Sequence, residues 1–325
     1  MAGHRGLCYV AIAFLCFAAA LRAEQVVVYY SMKEDVGRSA VERFRKETGA
    51  TVTLVRINSK ASMQNLLARL AAEKGRSRAD VFWSSDLAAA LILKSKGLSV
   101  PYESPNAKEV PALFSDPDRC WTGFPAQARI IIYNKNLLID PQEIPTSVFD
   151  MINPRFNGRA CIANPLSGTA SLHAAALFQV LGRDMAKVFF NALKINKITI
   201  TSSNGEVRNR VAAGEFAFGV ADSEDFDAVF KEGKPVGVVL PDQQSFGTFV
   251  VPSVLVLMAN GPNLEQGKRF IDFLLRTEIQ KLLAVSRAIP TLDNVKPMAV
   301  DYVKLVAQSK ELSRGFLKEW VDKQK

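Results

Sequence analysis

The sequence predicts an α/β fold made of two lobes, each built on a mainly parallel sheet. Short β-branched runs alternate with helix-forming segments along most of the chain, and this order produces parallel sheets that helices cover on both faces. The roughly 300 residues that follow an apolar N-terminal segment are more than a single hydrophobic core usually holds. Two long apolar runs, at 123–133 and 249–258, have the length to carry the chain from one lobe to the other and back.

The elements follow in a regular order. Before the first long run, predicted strands lie at 25–30, 51–57 and 79–83, and predicted helices at 35–48, 62–73 and 87–96. After it, predicted strands lie at 159–163, 216–221 and 235–240, and predicted helices at 172–181, 187–193 and 207–213. Helix-forming segments lie at 264–275, 278–284 and 300–320. We expect one lobe to comprise 24–127 and 253–294, and the other 128–252 and 295–325.

The first 23 residues are typical of a secretory signal. A basic start at His4 and Arg5 precedes an apolar run of about 15 residues, shorter than the roughly 20 that a membrane-spanning helix needs. We expect cleavage after Ala23, with Ala20 as the alternative site, and export of the protein. Cys120 and Cys161 then remain, and in an oxidising compartment we expect them to be close enough for a disulfide; the alternative is two buried thiols.

The charge of the chain is basic but dispersed. The net charge is +9, and removal of Arg5 and Arg22 with the signal lowers it to +7. The densest basic runs, at 74–78 and 208–210, contain no aromatic residues that would stack on bases. This pattern indicates a solvated basic surface and argues against a nucleic-acid partner.

The segment 164–171 (NPLSGTAS) is the strongest local indication of a binding site. It follows a strand-like run and opens a helix, so several backbone N–H groups lack an intrahelical partner and, with the helix dipole, suit an anion. Within it, Ser167, Gly168 and Thr169 (the SGT turn) supply hydroxyl donors and close access to the backbone. The alternative is that Ser167 or Thr169 is only the N-cap of the helix.

Polar residues also follow other predicted strands, at the sheet edge where parallel sheets bind ligands. They are Ser31 after the first strand, Ser84 and Ser85 after the third, and the acidic residues Asp222, Glu224 and Asp225 after a strand of the second lobe. The acidic cluster is either a solvated loop or a part of the site that accepts hydrogen bonds from hydroxyl or ammonium groups.

Four further residues have more than one interpretation. Trp83 and Trp121 either stack on a ligand or pack in the core, and Arg129 pairs either with a ligand phosphate or with a structural carboxylate. His173 is more consistent with packing or capping than with catalysis. A serine hydrolase is disfavoured, because no G-x-S-x-G motif is present and His173 would share the helix of a candidate nucleophile such as Ser171.

Taken together, the order of these pieces resembles periplasmic substrate-binding proteins of ABC importers, in the branch that contains ferric-ion-binding proteins and their sugar-phosphate- and phosphonate-binding relatives. The resemblance covers essentially all of the chain after the signal. The segments that carry it are 26–31 (VVVYYS), 78–84 (RADVFWS), 165–170 (PLSGTA), 213–215 (AGE) and 287–290 (RAIP). It implies the periplasmic-binding-protein fold with hinge strands between its lobes, a ligand held in the cleft, and delivery to a cognate permease and ATPase.

The resemblance also implies site residues. The SGT turn matches the turn that binds an anion beside iron in the ferric branch, and Asn204 and Asp222 fall near other polar positions of that site. The histidine, glutamate and paired tyrosines that hold iron in that branch are not matched. Their places are taken by Ser31-Met32-Lys33-Glu34, Ser84-Ser85-Asp86 and Glu224-Asp225.

The function we expect is therefore binding without catalysis, cofactor or resident metal, by a protein that acts as a monomer. The expected ligand is a phosphorylated or phosphonate solute, with its phosphate on the SGT turn and a hydroxyl or amine on Glu224 and Asp225. The alternative is a ferric carrier in which Asp86, Glu224 and Asp225 replace tyrosine, because carboxylate oxygens suit a hard cation.

Overall fold

The computed structural model describes residues 25–32, 34–72, 77–283 and 295–324; the predicted signal at 1–23 and the segment 287–290 lie outside them. The described strands are β1 (Gln25–Tyr30), β2 (Thr51–Arg56), β3 (Val81–Ser84), β4 (Ser99–Val100), β5 (Thr122–Asn134), β6 (Ala160–Ala163), β7 (Thr199–Thr201), β8 (Phe218–Asp222), β9 (Val236–Val239) and β10 (Val250–Met258). The described α-helices are α1 (Glu34–Thr48), α2 (Lys60–Ala72), α3 (Leu87–Ser95), α4 (Gly168–Leu181), α5 (Arg183–Ile195), α6 (Asn204–Ala212), α7 (Ser223–Lys231), α8 (Leu264–Leu274), α9 (Thr277–Leu283), α10 (Tyr302–Arg314) and α11 (Phe316–Asp322). Among the described residues, no helix has both the length and the apolar composition needed to cross a membrane.

One half of the structure is a sheet centred on β1. This strand pairs in parallel with β2 and with β3, and β10 pairs antiparallel with the other edge of β3. Val26, Val28 and Phe82 have no exposed surface, because helices cover both faces of the sheet. The carboxyl ends of β1, β2 and β3 therefore meet at a single edge.

The other half is a sheet centred on β6 and β8. β6 pairs in parallel with β7 and β8, and β5 pairs antiparallel with β8 and β9. The SGT turn connects the carboxyl end of β6 to the first turn of α4. Both halves thus place the ends of their parallel strands beside polar turns, as the strand-helix alternation predicts.

Two long strands join the halves. The first part of β5 pairs with β10, and its second part, from Arg129 to Tyr133, pairs with β8. In β10 the register shifts between Val251 and Ser253, on either side of Pro252, which has no N–H to contribute to the ladder. The prediction of a two-lobed α/β fold with crossing strands is confirmed.

The C-terminal helices pack on the half that contains α4. The hydroxyl of Ser309 on α10 donates to the hydroxyl of Ser171 on α4 at 3.1 Å. Nε1 of Trp320 on α11 donates to the carbonyl oxygen of Phe190 on α5 at 2.7 Å. The first of these contacts brings α10 next to the first turn of α4 and thus to the SGT turn.

The predicted disulfide is wrong. Cys161 is a buried free thiol on β6, and Cys120 is a half-buried free thiol in the turn before β5. Cys161 lies in the β6–β8 sheet, whereas Cys120 precedes the part of β5 that pairs with β10. An even number of cysteines therefore does not reflect a bond here, and the alternative of free thiols holds.

The acidic residues after β8 are not part of a loop. The chain enters α7 at Ser223, directly after Asp222, and the backbone N–H of Asp222 donates to Oδ2 of Asp225 at 3.2 Å. Glu224 and Asp225 consequently occupy the first turn of a helix, where negative charge interacts favourably with the helix dipole. The alternative of a solvated acidic loop is wrong for this reason.

Candidate functional site

A cavity of about 710 Å³ lies between the two halves, at the carboxyl ends of their parallel strands. Its volume is within the range of pockets that bind small molecules. Of the ten residues that the sequence nominates, five line it: Ser31, Ser85, Ser167, Gly168 and Thr169. These five residues follow different strands in the sequence, and the fold brings them together at one site.

The SGT turn presents donors to this cavity. Ser167 occupies the N-cap position of α4, but its side chain makes no capping hydrogen bond and is exposed. Gly168 has a φ of 62°, a left-handed conformation that disfavours residues with a Cβ, and the space beside it is open. None of the hydrogen bonds between described residues uses the backbone N–H of Gly168, Thr169 or Ala170. The Ser167 hydroxyl and these N–H groups are available to an anion.

A buried network of hydrogen bonds holds the SGT turn through the Thr169 side chain. Nη1 of Arg129 donates to Oδ1 of Asp222 and to Oδ1 of Asn204, both at 2.9 Å. The hydroxyl of Thr169 donates to Oδ2 of Asp222 at 2.6 Å, and Nδ2 of Asn204 donates to the same oxygen at 2.8 Å. Arg129 therefore pairs with a structural carboxylate. Because the Thr169 hydroxyl donates into the network, its backbone N–H is the donor left for the cavity.

The first half contributes a serine pair. The hydroxyl oxygens of Ser31 and Ser84 are 2.7 Å apart, and the Ser84 hydroxyl accepts a hydrogen bond from the backbone N–H of Asp86 at 2.9 Å. Ser84 is fully buried, whereas Ser31 and Ser85 reach the cavity. The role of Ser84 is thus to orient Ser31 and the turn before α3. Asp86 lines the cavity, but its Oδ1 caps α3 by accepting from the N–H of Ala89 at 3.2 Å.

Glu224 and Asp225 do not line this cavity. Asp225 faces Asp222 and Arg208, whose Nη1 lies 3.5 Å from its Oδ1. The pKa of Asp225 is raised to about 6, chiefly by burial and then by the Asp222 carboxylate, against the lowering effects of the Asp222 N–H and of Arg208. We expected Glu224 and Asp225 to bind an amine or hydroxyl of the ligand, but neither residue is part of the cavity wall.

His173 and the two tryptophans belong to the packed interior. The ring of His173 stacks on Phe249 at a centroid distance of 5.7 Å, and burial, with a smaller effect of Arg129, holds the pKa of His173 well below its usual value. The Ser171 hydroxyl donates to the carbonyl oxygen of Gly168 at 2.9 Å. No hydrogen bond between described residues joins Ser167 or Ser171 to His173, so a serine-histidine pair receives no support.

Trp83 and Trp121 are buried, with 0% and 4% exposure, and pack in the core.

Three cationic residues of the cavity were missed by the sequence analysis. They are Arg56, Lys310 and Arg314. Arg56 is the last residue of β2, so the rule that ligands bind at the ends of parallel strands could have found it. Lys310 and Arg314 lie on α10, and only the packing of that helix against α4 brings them to the site.

The donor set of the described residues does not form a metal centre. Within the ranges given above, no group of three or more histidine, cysteine, aspartate and glutamate side chains could hold a metal ion. Asp86 is engaged in a helix cap, and Glu224 and Asp225 lie away from the cavity. The arrangement is suited to an anion rather than to a bare cation.

The chain is similar to known proteins along most of its length. A family model described as "Bacterial extracellular solute-binding protein" matches residues 39–308. "Iron uptake protein A1" of Synechocystis sp. is 26% identical over 271 residues, which cover 80% of this chain and 74% of that protein. The "Putative 2-aminoethylphosphonate-binding periplasmic protein" of Salmonella typhimurium is 24% identical over 313 residues, 92% of this chain and 88% of that protein.

A solved structure shares the fold. Ferric iron-binding protein A of Mannheimia haemolytica, in an open conformation, superimposes with a TM-score of 0.76 at 21% identity, over 93% of this chain and 98% of that chain.

Proposed function

Because the chain belongs to the bacterial extracellular solute-binding protein family, we propose that it captures a small anionic solute, a phosphate ester or a phosphonate, in the cavity between its two halves. It is a periplasmic solute-binding component of an ABC importer and has no catalytic role. We further propose that it acts as a monomer and hands the solute to a cognate permease driven by an ATPase.

The observation that carries this proposal is the uncapped N-terminus of α4 at the cavity. An ordinary N-cap serine accepts a hydrogen bond from a helix N–H, as Ser203 does from Glu206 at 3.1 Å. Ser167 has the same position on α4 without that bond. Its hydroxyl and the free backbone N–H groups together offer several uncharged donors, which can hold a dianion at the positive end of a helix dipole.

The charge of the cavity supports the same conclusion. Among the described residues that line it, Arg56, Lys310 and Arg314 are cationic and Asp86 is the one acid. A cavity with excess positive charge raises the local concentration of anions and speeds their association. The phosphonate relative, whose name includes 2-aminoethylphosphonate, points to the same class of ligand.

A second candidate, ferric iron, rests on the relatives whose names include iron. Direct coordination by Asp86, Glu224 and Asp225 would need three carboxylates at one point, and two of them do not line the cavity. Iron held by a polyanionic chelator such as citrate would instead meet the same donors as a phosphate ester. We therefore place an anionic ferric chelate second and a bare ferric ion last.

The experiment that tests the proposal combines native mass spectrometry with calorimetry. Mass spectrometry of freshly purified protein identifies a co-purified anion. Titrations with fructose 6-phosphate, 2-aminoethylphosphonate, inorganic phosphate and ferric citrate then measure dissociation constants. For Ser167→Ala we expect a loss of about ten- to hundredfold in affinity for every phosphorylated ligand, because one charge-assisted hydrogen bond is lost.

The matched control is Ser203→Ala, which removes the same hydroxyl from a helix N-cap that does not line the cavity. This variant should bind the ligands as the parent protein does. If Ser167→Ala binds the best ligand with unchanged affinity, the SGT turn is not an anion site and the proposal is wrong.

A further inference from the structure

The cavity also contains positively charged side chains, which are separate from the uncharged donors of the SGT turn. Lys310 and Arg314 lie four residues apart on α10, and therefore on the same face of that helix. Arg56 lies at the end of β2, in the other half of the structure. Three cationic side chains from two elements thus line the cavity in addition to the uncharged donors of the SGT turn.

These charges are poorly neutralised by the protein itself. Arg56 pairs with Glu34 at 2.6 Å, but Glu34 also contacts Arg38, so two guanidinium groups share one carboxylate. No ion pair between described residues involves Lys310 or Arg314. Glu311, which lies between them in sequence, does not line the cavity, and its Oε1 is 3.6 Å from Nη1 of Arg183.

A purely structural explanation accounts for only part of this arrangement. Arg314 is in the last turn of α10, where a positive charge interacts favourably with the helix dipole. Lys310 lies one turn earlier, and two like charges four residues apart repel each other. The neighbouring Ser309 ties α10 to α4 through Ser171, which fixes this charged face at the cavity.

From this placement we propose that the solute carries two anionic groups, one held by the SGT turn and the second by Arg56, Lys310 and Arg314. The inference rests on the proposed function and adds the substrate class. It replaces the expectation of a ligand with an amine at its distal end, because Glu224 and Asp225, the residues expected to bind that amine, do not line the cavity. An ammonium group would instead meet uncompensated positive charge.

Two sets of matched probes test the inference by calorimetry. Propylphosphonate, 2-aminoethylphosphonate and 3-phosphonopropionate end in a methyl, an ammonium and a carboxylate group at the same position. Fructose 6-phosphate and fructose 1,6-bisphosphate differ by one phosphate. We expect the second anion to raise affinity at least about tenfold in each set, the order of magnitude of one charge-assisted hydrogen bond. We expect the ammonium to lower it.

The double variant Lys310→Gln with Arg314→Gln should abolish most of the advantage of the second anion and change the affinity for propylphosphonate little. Lys304→Gln with Lys318→Gln is the control, since it changes the net charge equally at residues that do not line the cavity. The control should keep the advantage. Loss of the advantage in both variants would indicate a general effect of net charge and would overturn the proposal.

The outcomes separate this inference from the proposed function. If paired probes bind equally while Ser167→Ala weakens both, the site binds one anionic group, so the inference is overturned and the proposed function stands. If Ser167→Ala weakens neither, the proposed function fails as well. Failure of 3-phosphonopropionate and fructose 1,6-bisphosphate to bind at all also overturns the inference.

Discussion

Arg129 and Asp222 form an ion pair of 2.9 Å that is almost entirely buried, with 2% and 9% of the two side chains exposed. The two residues are also direct partners in the ladder between β5 and β8. The pair therefore fastens the crossing strand to the sheet that carries the SGT turn. Removal of one partner leaves a buried charge without compensation, which is the costly case for an ion pair.

We expect Asp222→Ala to lower the free energy of unfolding by about 3–5 kcal/mol, because Arg129 would remain buried and unpaired. Urea denaturation followed by circular dichroism measures this change. The control is Glu103→Ala, which removes an exposed ion pair with Arg119 and should cost less than about 1 kcal/mol. Similar small losses in both variants would show that the buried network does not stabilise the fold.

The same substitution at the two N-cap serines should affect the free energy of unfolding differently. Ser203→Ala removes a capping hydrogen bond to Glu206 and should destabilise the protein by about 0.5–2 kcal/mol. Ser167→Ala removes a hydroxyl that caps nothing and should leave the free energy of unfolding nearly unchanged. Thermal and urea unfolding of the ligand-free proteins compares them. A larger loss for Ser167→Ala would mean that this hydroxyl is a structural cap after all.

The two thiols should differ in reactivity. Burial raises the pKa of Cys161 to about 12, so its thiol is protonated and shielded, whereas Cys120 is half-buried. In native protein without residues 1–23, we expect Ellman's reagent to titrate Cys120 first and Cys161 only on unfolding. Two thiols should react after denaturation without reductant, and Cys120→Ser should leave one. No reactive thiol under those conditions would restore the disulfide.

The sequence predicts the fold well because its signals are local. Strands such as Gln25–Tyr30 and the SGT turn are recognisable from short segments, and the rule for parallel strands then places Ser31, Ser85 and Ser167 at one site. The positions of Lys310 and Arg314 depend instead on the contact between Ser309 and Ser171, which are 138 residues apart in the chain. No periodicity or motif encodes such a contact.

The acidic cluster shows the converse case, in which residues that the sequence assigns to the site do not line the cavity. Asp222, Glu224 and Asp225 follow a buried strand, as ligand-binding residues of parallel sheets often do. Their carboxylates are nevertheless engaged locally where the structure records partners: Asp222 binds Arg129, and Asp225 accepts from the backbone of Asp222. The sequence shows that acidic residues follow a strand. It does not show whether their carboxylates already bind a guanidinium group or a helix N-terminus.

Asp225 should make the protein less stable as the pH rises through the acidic range. The pKa of its carboxyl rises from 3.8 to about 6 on folding, chiefly because of burial and then because of the Asp222 carboxylate. Between these values the folded protein holds a proton that the unfolded chain has lost, so the free energy of unfolding falls as pH increases and is level above about 6. The total change is on the order of 3 kcal/mol.

Asp225→Asn tests this sign, because an amide keeps an oxygen that can accept from the Asp222 N–H but does not ionise. Relative to the parent protein, the variant should gain stability as the pH is raised from about 4 to 7 in a series of urea denaturations. Asp301→Asn is the control of opposite sign: the backbone N–H of Lys304 lowers the pKa of Asp301, so its ionised form stabilises the fold and this stability is lost as pH falls. That loss occurs below the unfolded pKa of 3.8, so the Asp301 variant should run nearly parallel to the parent between about pH 4 and 7. It should lose stability relative to the parent only as the pH rises toward about 4 from below. A parallel pH dependence for Asp225→Asn and the parent protein would show that the Asp225 carboxyl has the same pKa in the folded and the unfolded state.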